Sequence, residues 1–386
     1  MSSHRSLRIA LLGTRGIPAR YGGFETFAEQ LSTRLAQRGH TVTVYGRCKI
    51  WERWGARAPH LNVQRRETPT IFHKYLETPL HALSSFIDML FQRCDAALLC
   101  NAANSPLAPI LLLKRIPLLI NVDGIERNRA KWNAFGKLWY LLGERCSVVL
   151  ATRLVSDAEV IAEYYRDTYG CASEVIPYGV HPVERPAGAV LEQFGLRSGE
   201  YILYVSRLEP ENNALGVIEA YNRLRTDKPL VIVGDAPYAT EYKARLRAAA
   251  SAKVVFTGFQ FGAAYEELQS NCYLYVQATE VGGTHPALIE SMSYGNCVVV
   301  NGTPENLEVI ADAGVSFPKN DFVALAARLE ELLANPELAA EYGERARKRA
   351  QDRYSWDAIV ERYEQLLVDL VERKRSLISS RTAQSA

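Results

Sequence analysis

Apolar residues recur along this chain in two alternating rhythms. Short apolar or β-branched runs at Leu7–Leu12, Thr41–Tyr45, Ala97–Cys100, Leu118–Val122 and Val148–Ala151 predict strands, several of them buried on both faces. Between the first two, Phe24, Phe27, Leu31 and Leu35 keep helical spacing, and Gly39 stops the helix predicted over 24–38. A new alternation starts beyond the Pro- and Gly-containing VIPYGV of 175–180. Strands are expected there at Tyr201–Ser206, Leu230–Val233, Val254–Phe256, Tyr273–Ala278 and Cys297–Asn301. Helices are expected at Ala214–Leu224, Ala239–Ala250, Tyr265–Asn271, Pro286–Tyr294, Phe322–Ala334 and Pro336–Gln351. The expected fold class is α/β, with two Rossmann-like parallel-sheet domains facing a central cleft.

A length of 386 residues accommodates two cores of this kind. The expected boundaries are residues 1–177 and 178–355, then a helix over 356–373 and a disordered tail over 374–386. The net charge of +2 hides an asymmetry, because residues 1–74 carry 13 Lys and Arg against 4 Asp and Glu. A basic first half fits anionic headgroups or a phosphorylated substrate, and equally a solvated positive face. The seven cysteines are scattered without a C-x-x-C, which argues against a zinc site or a disulfide framework. The first residues run straight into a strand, so no secretory signal is expected. The apolar zone 96–122 is broken by Asn, Pro, Lys and Arg, so no membrane-spanning helix is expected either. A cytoplasmic protein with at most peripheral membrane contact follows.

The richest local chemistry is EVGGTHPALIE at 280–290. Gly282 and Gly283 permit a tight turn, and Pro286 opens a helix whose first amides face outward with the positive end of its dipole. Such an end binds anions, phosphate above all. Thr284 belongs to that turn, and Glu290, one turn further in, suits ribose or sugar hydroxyls. A nucleotide-sugar pocket is one reading; an ordinary strand–turn–helix capped by Gly and Pro has the same local pattern. Arg207, just after its strand, suits a departing diphosphate or a salt bridge to Glu209 or Glu211. Gly234 and Asp235, like Thr257 and Gly258, end strands where a nucleoside would rest.

In the first half the loop GTRGIPARYGGFET brings Gly13, Gly16, Gly22 and Gly23 close to strand one. Arg15, Arg20 and Tyr21 lie in the same loop, and the two arginines suit a substrate phosphate. Glu25 suits the helix dipole. The loop lacks the dinucleotide fingerprint, which ranks an NAD oxidoreductase last. Asp123 follows the run 118–122 at a strand's carboxyl end, where ligands of parallel sheets bind. Its carboxylate suits orienting an acceptor hydroxyl, acting as a base, or capping a helix. Glu126 and Arg129 follow in ERNRAKW, a segment that suits a sugar and a phosphate or an exposed helix. No Asp-x-Asp and no His cluster occurs, so no metal and no cofactor is expected.

GTRGIPARYGGFETFAEQL, DGIE with RAKW, VIPYG, RLEPENN and EVGGTHPALIE, in this order, resemble the retaining glycosyltransferases of family 4 with the GT-B fold. More narrowly they resemble the bacterial branch of β-1,4-L-rhamnosyltransferases of polysaccharide assembly. The resemblance covers almost the whole chain. It implies a second lobe that binds the nucleotide sugar, through Glu290 on the ribose, Gly283 and Thr284 on phosphate, and Arg207 on the diphosphate. It implies acceptor binding by the glycine loop of the first lobe, and a final helix from Trp356 that crosses back to that lobe. Three positions depart from the pattern. Gly282 stands where the wider family has a glutamate, for which Glu280 is the expected substitute. Asn212 stands where a lysine is usual, and Arg127 and Asn128 stand where the branch often has Trp-Lys.

The expected catalytic residues are therefore Asp123, Arg207 and Glu280. The expected partners are a nucleotide sugar (dTDP-L-rhamnose, or a UDP-sugar), a lipid-linked sugar acceptor and the membrane surface, with no nucleic acid. A UDP- or GDP-hexose transferase, a same-fold epimerase or phosphorylase, and a non-catalytic sugar-nucleotide sensor remain as alternatives.

Overall fold

The unbroken apolar runs become the inner strands of two sheets, as burial on both faces requires. The computed structural model describes residues 6–19, 23–73, 75–129, 132–236 and 239–384. The chain divides after Tyr178: residues up to there, with those from Trp356 on, form one unit, and Gly179–Ser355 form the other.

The first unit holds β1 (Arg8–Leu12), β2 (Thr41–Lys49), β3 (Gly55–His60), β4 (Val63–Thr70), β5 (Ala96–Cys100), β6 (Leu118–Val122), β7 (Arg153–Ser156) and β8 (Glu174–Val175). They form an eight-stranded sheet in the order β3-β4-β2-β1-β5-β6-β7-β8. All its pairs are parallel except β3 with β4, which makes this sheet mixed. Leu99, Ile120 and Phe86 are fully buried at its core. The last helix packs on the helix Gly23–Gln37 through Phe27 and Tyr363, whose rings lie 5.3 Å apart. Tyr363 accepts a hydrogen bond from Asn121 at 2.5 Å, and Arg38 and His40 both reach Glu364.

The second unit holds β9 (Ile202–Val205), β10 (Leu230–Val233), β11 (Val254–Gly258), β12 (Leu274–Gln277), β13 (Cys297–Asn301) and β14 (Val315–Phe317). Their order is β11-β10-β9-β12-β13-β14, and every pair is parallel. Val217, Ile218, Ile232, Val276 and Val299 lose all exposure in its core. In a parallel sheet every carboxyl end opens on one edge, and that edge collects the loops with the chemistry.

Two expectations fail. Val148–Ala151 is not a strand: it ends the helix Ala134–Leu150, with Val149 exposed, and the strand begins at Arg153. Two β-branched valines gave a strand-like run, but Leu154, Val155 and Ser156 are the buried residues. The final helix does not stop at Arg373 but continues to Gln384, because no Gly or Pro intervenes to end it. Among the described residues no helix is long and apolar enough to cross a membrane.

Candidate active site

In the second unit the carboxyl-edge loops are drawn together by backbone constraints. Gly234 follows β10 with φ 130°, and a Cβ there would sit 1.9 Å from the Ser206 carbonyl oxygen. Only glycine lets the loops after β9 and β10 approach so closely. Gly234 donates its N–H to the Gly258 carbonyl at 2.8 Å, which ties in the loop after β11.

Arg207 leaves β9 at this edge with about a third of its side chain exposed, 3.9 Å from Glu209. That contact is loose, and the guanidinium stays available to an anion. Its backbone is held firmly. Asn212 is 3% exposed and donates from Nδ2 to the Arg207 carbonyl at 2.7 Å, while its own carbonyl accepts from the Tyr204 hydroxyl at 2.6 Å. Asn212 thus fixes the arginine loop from beneath, and its amide is committed to the backbone.

The helix Pro286–Ser293 begins directly after the diglycine turn, with His285 as its N-cap and Gly295 (φ 79°) beyond its end. Pro286 carries no N–H, and Leu288 and Ile289 both donate to the His285 carbonyl, at 3.0 and 3.3 Å, so within this turn the Ala287 amide and the positive end of the dipole make the anion seat. Glu290 projects from the next turn and accepts from the Tyr265 hydroxyl at 2.6 Å; Gln269 donates to that hydroxyl at 2.8 Å. Burial pushes the Glu290 carboxyl up to about 7, against the downward pull of the Tyr265 hydrogen bond. Glu280 is positioned by Asn213, whose Nδ2 donates to its Oε1 at 2.9 Å, and by its own N–H on the Glu211 carbonyl. A Cβ on Gly282 would lie 2.5 Å from the His285 ring, so the imidazole occupies the space beside that glycine. Asp235 receives Lys243 at 2.8 Å, which holds its carboxyl below the usual range. The Thr257 hydroxyl donates to the Gly258 carbonyl at 3.1 Å. The Asp235 and Thr257 side chains therefore shape the loops around them through these bonds.

In the first unit the loop after β1 is equally constrained. Gly13 has φ 90°, and a Cβ there would meet the Cys100 carbonyl oxygen at 2.1 Å. At Gly16 (φ 99°) it would meet the Gly46 Cα at 2.7 Å. Glu25, expected to complement the helix dipole, is buried and accepts the Arg15 backbone N–H at 2.9 Å, a loop-fixing role. Arg15 and Arg47 share Glu77 at 3.0 and 2.8 Å. Gly23 opens the next helix. Arg20, Tyr21 and Gly22 lie outside the described residues. Asp123 is half-buried just past β6; its charge bears on Cys100 and Tyr178, which burial chiefly raises. Glu126 and Arg129 pair with each other at 2.7 Å, and Arg127 turns to Glu144 and the Tyr164 hydroxyl.

Residues passed over in the sequence hold these groups in place. Tyr265 and Gln269 sit on a helix, Ala263–Ser270, that showed only ordinary amphipathic spacing. Asn213 adopts φ 62°, and its doubled asparagine in PENN is the one local signal. Arg47 and Glu77 meet only through the fold.

This geometry suits a nucleoside diphosphate, with a carboxylate for hydroxyls, a helix end for phosphate and a cation beside it. Residues 21–184 match the family described as Glycosyltransferase Family 4, and residues 192–349 match Glycosyl transferases group 1. The O-antigen chain mannosyltransferase C of Escherichia coli is 25% identical over 92% of this chain and 97% of its own. The GDP-mannose-dependent alpha-(1-6)-phosphatidylinositol monomannoside mannosyltransferase of Mycolicibacterium smegmatis is 26% identical over 90% and 94%. Among solved structures, sucrose-phosphate synthase of Thermosynechococcus elongatus superposes with a TM-score of 0.79 at 19% identity, over 97% of this chain and 100% of that one. Consecutive matches thus place residues 21–184 with the glycosyltransferases of family 4 and residues 192–349 with those of group 1, and the fold is that of the GT-B glycosyltransferases.

Proposed function

We propose that this chain moves a hexosyl group from a nucleoside-diphosphate sugar, with retention and without a metal, onto a saccharide carried by a lipid diphosphate. The observation that carries the reading is the Glu290–Tyr265 pair one helical turn behind the diglycine anion seat. In the reaction the bond from the anomeric carbon to the diphosphate oxygen breaks, and a bond to the acceptor oxygen forms. The acceptor's proton leaves with the diphosphate. Negative charge grows on the leaving oxygen, where Arg207 and the backbone N–H groups of Gly283, Thr284, His285 and Ala287 would stabilise it. Asp123 would orient the reacting hydroxyl, and Glu280, held by Asn213, would hold the donor sugar.

The motif order favours dTDP-L-rhamnose as donor. GDP-mannose is the second reading, because the two relatives matched over nine-tenths of the chain are mannosyltransferases. L-Rhamnose is a 6-deoxyhexose of manno configuration, so both readings place an axial 2-hydroxyl in the pocket. Calorimetric titration with dTDP-L-rhamnose, GDP-mannose, UDP-glucose and UDP-N-acetylglucosamine, in chelator, tests this. Preference for either of the first two supports a manno-configured donor. Preference for a UDP-sugar overturns that specificity, and binding of none overturns the transferase reading.

A further inference from the structure

We propose that the carboxyl-edge rim of the first sheet, centred on Trp51 and Phe72, docks this chain onto an anionic lipid bilayer. Strands β2 and β4 run parallel with Lys49 level with Thr70, so the residues that follow leave the sheet side by side. Those residues are apolar and exposed: Ile50 (57%) and Trp51 (77%) from one strand, Ile71 (41%) and Phe72 (48%) from the other. Strand β3 starts at Gly55 opposite Glu67, which brings Trp54 (59% exposed) to the same end. The Thr70 hydroxyl donates to the Glu77 carbonyl at 2.8 Å and fixes the start of the next helix beside the rim. Single exposed apolar residues are ordinary; a contiguous cluster of two indoles, a phenyl and isoleucines marks an interaction surface.

Chemistry selects the occupant. Lys49 Nζ lies 5.8 Å from the Trp51 ring centroid, and Arg53 is exposed between the two tryptophans. Indoles interleaved with snorkelling cations suit the headgroup boundary of a bilayer. Of the 13 Lys and Arg in residues 1–74, Arg8, Arg15, Arg38, Arg47 and Arg66 pair with acids beyond residue 74, and at the rim itself Lys49 and Arg53 outnumber Glu52, a positive balance that attracts anionic headgroups and repels a second copy of the same surface. The loops after β1 and β6, with Gly13–Gly16 and Asp123, open on this same carboxyl edge. Tyr75, next to the rim, lies 6.2 Å from Trp132, just beyond the β6 loop. Docking would thus hold the acceptor loops at the lipid surface, and in this respect the inference rests on the lipid-carried acceptor proposed above.

The test is flotation of the full chain with vesicles of phosphatidylcholine alone or mixed with phosphatidylglycerol. The variants are Trp51→Ala/Phe72→Ala, Lys49→Glu and Phe91→Ala, the last an exposed phenyl between the helix Glu77–Met89 and the amino end of β5. The wild type and Phe91→Ala should float with the anionic vesicles and sink with the neutral ones. The double variant should lose about tenfold or more in vesicle affinity, and Lys49→Glu a smaller factor that vanishes in high salt. Donor binding should be equal in all four proteins, which shows that each is folded. Failure of the wild type to bind anionic vesicles, or wild-type binding by the double variant, overturns the surface. So does a dimer that the double variant abolishes, which would make a second copy the occupant. Sugar transfer to a detergent-solubilised acceptor is read separately. Its absence with vesicle binding intact counts against the transferase reading; its presence without vesicle binding counts against the surface alone.

Discussion

Tyr265 donates its hydroxyl to Glu290 at 2.6 Å, and this bond is all that offsets the burial that lifts the carboxyl from its ordinary 4.5 to about 7. The fold therefore favours the protonated acid. That contribution to stability is complete below pH 4.5 and is lost as pH rises through about 7. Nucleotide binding has the opposite sign, because a carboxylate accepts hydrogen bonds from the free hydroxyls of the nucleoside sugar, one in a deoxyribose and two in a ribose, more strongly than the protonated acid does.

Donor affinity should accordingly be flat above pH 8 and fall as pH drops below 7, approaching about tenfold per unit. Calorimetry near pH 7 in buffers of different ionisation enthalpy should show proton release on binding. Tyr265→Phe removes the lowering bond, so its affinity curve should move to higher pH. Glu290→Gln should bind weakly at every pH, with the slope gone. A pH-independent wild-type affinity would disprove the role given to Glu290.

Arg207 makes only a loose contact with Glu209, so Arg207→Ala should melt within a degree or two of the wild type while turnover collapses. Loss of one positioned donor to a developing anion costs about 10²–10³ in kcat. Steady-state kinetics beside a thermal melt checks this; wild-type kcat in the variant would remove Arg207 from the chemistry.

Asn212 acts through the arginine. Asn212→Ala strips a buried hydrogen bond from the Arg207 carbonyl and should destabilise the fold by about 1–3 kcal/mol. Because Arg207 remains but is misplaced, kcat should fall more than donor affinity does. Asn212→Lys puts a cation where the side chain is 3% exposed, and should cost more stability without restoring the diphosphate contact usual in the wider family. Urea unfolding and donor titration separate the two effects.

How much of this was legible in the sequence depends on what each residue faces. Runs such as LVIV at 230–233 and CVVVN at 297–301 declare themselves because both faces are buried. The segments GARAPH and VQRRETPT do not, since β3 and β4 lie at the polar edge of the first sheet, where charged side chains alternate without a clean apolar face. Glycines at 13 and 234 were visible as punctuation, but the carbonyls that forbid a side chain there belong to Cys100 and Ser206, remote in sequence. Tyr265 was invisible for the same reason: it lies 25 residues before its partner, on a helix with no motif.

Gly282 and His285 offer the sharpest test of how this chain departs from its relatives. A Cβ on Gly282 would meet the imidazole at 2.5 Å, so the glutamate of the wider family and this ring position exclude each other. The ring is the movable end of a side chain, so Gly282→Glu should fold, yet it must displace the imidazole of His285, the residue that caps the helix at the anion seat. Donor affinity should therefore drop in Gly282→Glu. His285→Ala alone should change affinity little. In the double variant the glutamate has room, and affinity should return toward wild type, with a coupling of about 0.5–3 kcal/mol in the double-mutant cycle. The double variant should also tolerate Glu280→Ala better than the parent chain does, because a second carboxylate would then be available for the donor sugar. Strict additivity of the two substitutions would mean that the imidazole does not set the shape of this turn.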